Sequence, residues 1–170
     1  MERHITLAVS IAVLSLLAGY GEAATHDRVA RVPGLTGIIE SASEEFGVNA
    51  NLIQAVIEVE SMYRAKAVSK VGARGLMQVK PSTAEWIAGK MRLPYGGAET
   101  LFEPETSVRI GTAYLAYLTN KFGDVGHAVM AYNLGPTALT VRLRNEEELP
   151  DTYIGKVTSV YLDILNWKGE

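Results

Sequence analysis

Two carboxylates stand two residues apart in the segment Val56-Ile57-Glu58-Val59-Glu60-Ser61. Carboxyl groups of this kind cut glycosidic bonds, one as proton donor and a second as base or nucleophile. On a helix, residues two apart point about 200° from each other and do not share an environment. With Leu52 at zero on a helical wheel, Ile53, Val56, Ile57 and Val59 span an apolar arc from roughly −20° to 140°. Glu60 falls near 80°, inside that arc, and Glu58 near 240°, beside Gln54 on the polar side. A carboxyl set among apolar neighbours keeps its proton to higher pH. That is the property a glycosidic general acid needs near neutrality. The same placement also fits an edge-of-core glutamate satisfied by a lysine or a backbone amide.

Other chemistries find less support. The chain has no cysteine, which removes thiolate nucleophiles, disulfides and cysteine-based zinc sites. His4, His26 and His127 are scattered, so no metal site, histidine base or cofactor is expected. The serines lack a nucleophile-elbow context. Glu146-Glu147-Glu148 reads as a solvated charge run. With 16 Lys+Arg against 19 Asp+Glu, the net charge of −3 offers no footprint for nucleic acid.

The elements that must position Glu60 are helical, since apolar residues recur at helix spacing and alternating strand patterns are scarce. The spacing predicts a helix from Leu35 to Phe46, stopped by Gly47. Asn49 caps a second, running to about Tyr63 and carrying both glutamates. The stretch around Gly72 and Gly75 reads as a loop or small hairpin. Pro81 with the Ser82-x-x-Glu85 capping box opens a third helix. A fourth runs from about Pro104 to Phe122, and Asp124 caps a fifth through about Tyr132. Pro136 starts a short sixth, and a seventh follows Asp151. At 170 residues with 48% apolar content, one mainly α domain with its own core is expected.

The run from Ala55 to Ala84, AVIEVESMYRAKAVSKVGARGLMQVKPSTA, resembles the catalytic segment of soluble lytic transglycosylases. These bacterial enzymes cut peptidoglycan glycan strands. The resemblance rests on Glu60-Ser61, Ala67-Val68-Ser69, Gly75-Leu76-Met77-Gln78 and Lys80-Pro81. Ala131-Tyr132-Asn133-x-Gly135 and Tyr153-Ile154-x-Lys156-Val157 follow in the family order. It spans Leu35 to Trp167 and implies a lysozyme-like single domain: mostly helices around a substrate cleft, with at most a small β-element.

The resemblance further implies that Glu60 alone is the catalytic acid and then base, forming 1,6-anhydromuramyl ends. Ser61, Met77, Gln78, Tyr132, Asn133 and Tyr153 become candidate substrate-binding residues. Of these, Met77 is also suited to packing, and Tyr132 to hydrogen-bonding either Glu60 or a sugar. Gly75 is read as a point of close chain approach. A goose-type-lysozyme-like hydrolase and a non-catalytic wall-binding module remain alternative readings. The chain departs from the family at Glu103-Pro104-Glu105-Thr106-Ser107-Val108, where Asn-Pro-x-x-Asn-Ile is common. It has Met62 in place of an aromatic and Leu134 in place of a small residue, which is expected to narrow the cleft.

Ahead of this domain, Ile5 to Leu17 is an uncharged apolar run of 13 residues. A spanning helix needs about 20. Small residues follow, and Gly21-Glu22-Ala23 fits a cleavage site, so residues 1–23 read as a secretory signal peptide. Residues 24–33 read as a flexible leader, and 34–170 as the catalytic domain. Leu16-Leu17-Ala18-Gly19 resembles a lipoprotein processing site, but Tyr20 stands where the lipidated cysteine would be. The expectation is an exported, monomeric protein of the periplasm or cell envelope, soluble once its signal is removed. Its partner would be peptidoglycan glycan strands, with a secretion or other envelope-spanning apparatus as a further expected partner.

Overall fold

The structure is a computed structural model and describes residues 29–166. The expected signal peptide, the leader before Val29 and the tail from Trp167 lie outside the described residues. Seven helices follow in order: α1 (Leu35–Phe46), α2 (Ala50–Ser61), α3 (Pro81–Met91), α4 (Pro104–Phe122), α5 (Val125–Leu134), α6 (Pro136–Arg144) and α7 (Thr152–Asn166). A 3-10 turn, Ala98–Phe102, leads into α4. All seven fall where apolar periodicity and caps place them. Asn49 Oδ1 accepts from the amides of Asn51 (2.9 Å) and Leu52 (3.2 Å), and Asp124 Oδ1 from that of His127 (2.7 Å). Each cap satisfies donors that the first helical turn leaves unpaired. The small β-element is present as two isolated antiparallel bridges, Val68 with Arg74 and Arg74 with Val79.

Central to the packing is α4, whose residues Val108 to Ala116 are buried apart from Arg109. Helices α1, α3 and α5 pack on it, while α7 lies along α2 and touches α5. The core joins Leu35 and Ile39 of α1, Ile53 and Ile57 of α2, Ile87 of α3, Leu115 and Leu118 of α4, and Leu139 of α6. Each large side chain so buried contributes about 2 kcal/mol by leaving water.

Three local expectations need correction. Helix α3 takes Lys80 as its N-cap with no side-chain bond, because Pro81 already occupies the first helical position. Ser82 therefore sits within the first turn, and no capping box forms. Residues 29–33 of the expected leader are engaged with the domain: Val32 is buried, its amide donates to the Val29 carbonyl, and the Leu35 amide donates to the Val32 carbonyl, each at 3.1 Å. Finally, α2 stops at Ser61 rather than near Tyr63. Met62 (φ 51°) and Tyr63 (φ 61°) are both left-handed, a conformation that costs a side-chain-bearing residue energy and here turns the chain sharply after Glu60.

Candidate active site

Glu60 lies on the last turn of α2, and its carboxylate accepts a hydrogen bond from the Tyr153 hydroxyl of α7 at 2.7 Å, from Oη to Oε1. Burial raises the Glu60 pKa above the ordinary carboxylate value, and the Tyr153 bond, which favours the ionised form, pulls in the opposite direction and is weaker. Burial first, and then the adjacent Glu60 charge and its hydrogen bond, keep the Tyr153 hydroxyl protonated far into alkali. Tyr132 is pushed up as well, by burial first and then by the nearby Glu60 charge. The arrangement is a largely buried carboxyl whose pKa is raised, touched by a hydroxyl that stays protonated.

Glu58 does not sit in solvent as the wheel predicts, being 8% exposed. A wheel assumes one open face, whereas α2 is packed by both α1 and α7.

The loop from Met62 to Lys80 carries most of the motif residues, and it uses them largely on itself. Gln78 adopts φ 48°, and its Nε2 donates to the carbonyls of Gly75 (2.8 Å) and Ala67 (3.1 Å). Ser69 Oγ accepts from the Ala73 amide at 3.0 Å. Gly75, at φ 76°, passes so close to the 3-10 turn that a Cβ there would stand 1.9 Å from the Leu101 carbonyl oxygen. The expected close approach is therefore a backbone-to-backbone one. Lys66 and Arg74 each lie 5.4 Å from the Phe102 ring centroid, and Arg74 pairs with Glu99.

Two substrate-binding expectations are corrected. Met77 is fully buried, with its side chain against α4, where a Cβ at Gly111 would be 2.4 Å from Sδ. Its amide donates to Ser107 Oγ (3.3 Å), so the serine at a family-divergent position supports this turn. Ser61 is 1% exposed, and its hydroxyl donates back to the Ile57 carbonyl at 3.0 Å, a helix-end bond rather than a cleft contact.

Tyr132 and Asn133 stand on the last turn of α5, before Gly135 ends the helix. The Tyr132 hydroxyl donates to the Met77 carbonyl at 2.8 Å, tying α5 to the loop. Of the two tyrosines, Tyr153 is the one bonded to Glu60. Asn133 is exposed at the helix end. Leu134, expected in the cleft, packs partly against the core. Among the described residues, no group of three or more His, Cys, Asp or Glu side chains could hold a metal ion.

Residues 37–154, well over half the chain, match the family model described as the transglycosylase SLT domain. The chain belongs to the transglycosylase SLT domain family. Curated relatives of this SLT domain include the soluble lytic murein transglycosylase of Salmonella typhimurium, 39% identical over 100 residues, which are 58% of this chain and 16% of the relative. Another is the membrane-bound lytic murein transglycosylase C of Sodalis glossinidius, 40% identical over 88 residues, 51% of this chain and 25% of that one. The chain thus spans a quarter or less of these relatives' own length. Among solved structures, an inactive mutant of the lytic transglycosylase Slt from Pseudomonas aeruginosa superposes with TM-score 0.62 at 28% identity, covering 76% of this chain and 22% of that one. The 70 kDa soluble lytic transglycosylase of Escherichia coli gives 0.59 at 28% identity, over 77% of this chain and 21% of that one. The mainly helical fold of this SLT domain is therefore shared with these lytic transglycosylases, over about a fifth of their own length.

Sequence reading missed an aromatic group beside the site: Trp86 of α3 with Tyr114 and Tyr117 of α4. Tyr114 and Tyr117 are three apart on a helix, so one shared face was readable, but their meeting with Trp86 depends on how α3 crosses α4.

Proposed function

We propose that this chain is a peptidoglycan lytic transglycosylase that cleaves the β-1,4 bond between N-acetylmuramic acid and N-acetylglucosamine. The observation that carries the reading is the largely buried Glu60, its pKa raised, bonded to Tyr153 within an SLT domain whose relatives are named for this activity. Protonated Glu60 donates to the bridging oxygen as that bond breaks. Ionised Glu60 then takes the proton from the muramyl 6-hydroxyl, whose oxygen attacks its own anomeric carbon and closes a 1,6-anhydro ring. Nucleophile and electrophile belong to one bound sugar, so effective molarity replaces the second carboxylate of ordinary glycosidases. Tyr153 orients the carboxyl and offsets part of the pKa rise. Asn133 supplies an amide group, and Gln78 only its remaining Oε1 acceptor, for acetamido or hydroxyl groups of the strand.

The N-terminal features support export, with residues 1–23 removed as a signal peptide and the domain acting in the periplasm or cell envelope. We further propose that its role is to open the wall locally for an envelope-spanning assembly.

The test is product analysis of purified sacculi. Wild-type protein is expected to release anhydromuropeptides by mass spectrometry, and Glu60→Gln to lose at least a hundredfold in rate. Reducing muramic ends without anhydro ends would replace the reading with hydrolysis. Equal turnover by Glu60→Gln would remove Glu60 from the mechanism, and no turnover by either protein would leave a binding module.

A further inference from the structure

Between Met62 and Lys80 the chain carries Arg64, Lys66, Lys70, Arg74 and Lys80, and no aspartate or glutamate. Five of the 16 basic residues thus fall in one loop of a chain whose net charge is −3. A surface of one sign raises the local concentration of ligands of the other. Two of these cations converge. Lys66 Nζ and the Arg74 guanidinium each lie 5.4 Å from the centroid of the Phe102 ring, whose negative face attracts both. Their backbone is fixed as well. Gln78 Nε2 donates to the carbonyls of Ala67 and Gly75, the residues that follow Lys66 and Arg74, and the Gly75 amide donates to the Ala67 carbonyl at 3.0 Å. Cations held in this way lose little further entropy when a ligand binds.

The anionic side of the cluster is incomplete. Arg109 shows a fully used guanidinium in the same fold, gripping Glu45 through Nε (2.8 Å) and Nη2 (2.7 Å). Arg74 instead meets Glu99 through Nη1 alone, and its Nε has no acceptor among the described residues. Lys66 is exposed and makes no ion pair among the described residues. Glu99 is a weakly held partner, since its side chain is 81% exposed and surface pairs of this kind contribute little. A carboxylate arriving from outside exchanges with Glu99 at small cost and gains Lys66 as a second partner.

We propose that Lys66 and Arg74, seated on Phe102, form a carboxylate-binding site for the acidic peptide stems that branch from the glycan strand. The inference rests on the glycan-strand reading above and adds a second part of the same polymer as ligand. Stems leave the lactyl group of muramic acid, next to the bond being cut, and carry free carboxylates. A guanidinium and an ammonium give a carboxylate charge-assisted hydrogen bonds. The half-buried Phe102 ring beside them suits the methyl and methylene groups of a peptide, a contact that a bare phosphate lacks. Lys66 follows Glu60 by six residues, at most about 20 Å of extended chain. Turns closed by the Arg64 amide on the Ser61 carbonyl and the Ala67 amide on the Arg64 carbonyl shorten that path. A stem of about four residues reaches roughly 13 Å from its sugar, a comparable span.

The experiment uses the full chain carrying Glu60→Gln, so that strands are bound without being cut. Its probes are soluble glycan strands with intact stems, the same strands with their stem carboxylates blocked as methylamides, and strands stripped of stems by an amidase. Stripping leaves a carboxylate on the lactyl group, so it separates that source from the stem. By calorimetry, intact strands are expected to bind more tightly than blocked or stripped ones. Lys66→Gln should weaken intact strands about three- to fivefold, and Lys66→Gln with Arg74→Gln about tenfold, with blocked strands bound as before. Lys66 is exposed, so its single variant decides the matter if Arg74→Gln does not fold. Lys70→Gln removes a loop cation that does not sit on Phe102 and should change affinity less than about twofold. Intact strands that bind no more tightly than blocked ones, or not at all at millimolar concentration, overturn the proposal, as does a Lys66→Gln loss that persists on blocked strands. A loss of equal size in Lys70→Gln overturns it too, because diffuse charge would then be enough, and so does a full Lys66 dependence on stripped strands. Turnover of sacculi by the chain with Glu60 intact is read separately, so Lys66-dependent binding without turnover sinks the catalytic reading alone.

Discussion

The loop from Met62 to Lys80 and helix α7 both border the end of α2 that carries Glu60, but they use their side chains in opposite ways. In the loop, Gln78 and Ser69 hydrogen-bond to the loop itself, Met77 is buried against α4, and Gly75 admits the backbone of Leu101. Helix α7 has a sparser motif, yet Tyr153 is the residue whose side chain bonds to the Glu60 carboxylate. The density of a motif therefore tracks how demanding the local backbone is, rather than how close its side chains come to the Glu60 carboxyl. A left-handed Gln78 and a glycine wedged against a carbonyl are rules about shape.

The largest effect should come from the loop, by loss of structure. In Gly75→Ala the new Cβ meets a backbone oxygen at 1.9 Å and a left-handed φ, neither of which a side-chain rotation relieves. The expected destabilisation is about 3 kcal/mol or more. It would be read as a fall of about 10 °C in Tm by circular dichroism. Activity should fall in step with the folded fraction, with the pH profile of the surviving enzyme unmoved. A Gly75→Ala protein with wild-type Tm and a shifted profile would reverse the roles assigned to the loop and α7.

Tyr153→Phe should behave in the opposite manner. It removes one hydroxyl from a half-buried position, so Tm changes by a few degrees at most. The lost hydrogen bond is the influence that lowers the Glu60 pKa, so the alkaline limb of the rate profile, where the acid form disappears, should move to higher pH. Expected with it is a roughly tenfold drop in kcat, as the carboxyl loses its orientation. An unmoved limb would reduce Tyr153 to a packing residue.

The difference between these regions also explains what was legible in the sequence. Helices announced themselves through periodicity and caps, and Asn49, Asp124 and Gly47 stand at the ends they were expected to mark. The placement of Glu60 among apolar residues could likewise be read from a wheel. Which tyrosine reaches it could not, because Glu60 and Tyr153 are 93 residues apart and meet only through the packing of α7 on α2. Buried with it are Glu58, which the wheel places on the polar side, and Ser61, which the resemblance made a substrate-binding candidate. The group of Trp86, Tyr114 and Tyr117 has no sequence motif, since its rings come from two crossing helices.

The smallest effect concerns stability rather than rate. Burial raises the folded-state pKa of Glu60 above its unfolded value near 4.5. Between those two values the folded protein binds more protons than the unfolded chain, so stability falls as pH rises through the window. The contribution is fully present below the unfolded pKa and is lost above the folded one. Glu60→Gln has no proton to lose, and its amide oxygen still accepts from Tyr153. Its Tm relative to wild type should therefore climb from pH 4 upward and level off once wild-type Glu60 is ionised, a gain of a few degrees by calorimetry. A difference that stays flat would mean that the carboxyl is not desolvated, and one that shrinks would mean that the Tyr153 bond outweighs burial. The rising difference is the thermodynamic mark of a carboxyl kept out of water at α2, and it would persist in Tyr153→Phe, where only burial acts on the group.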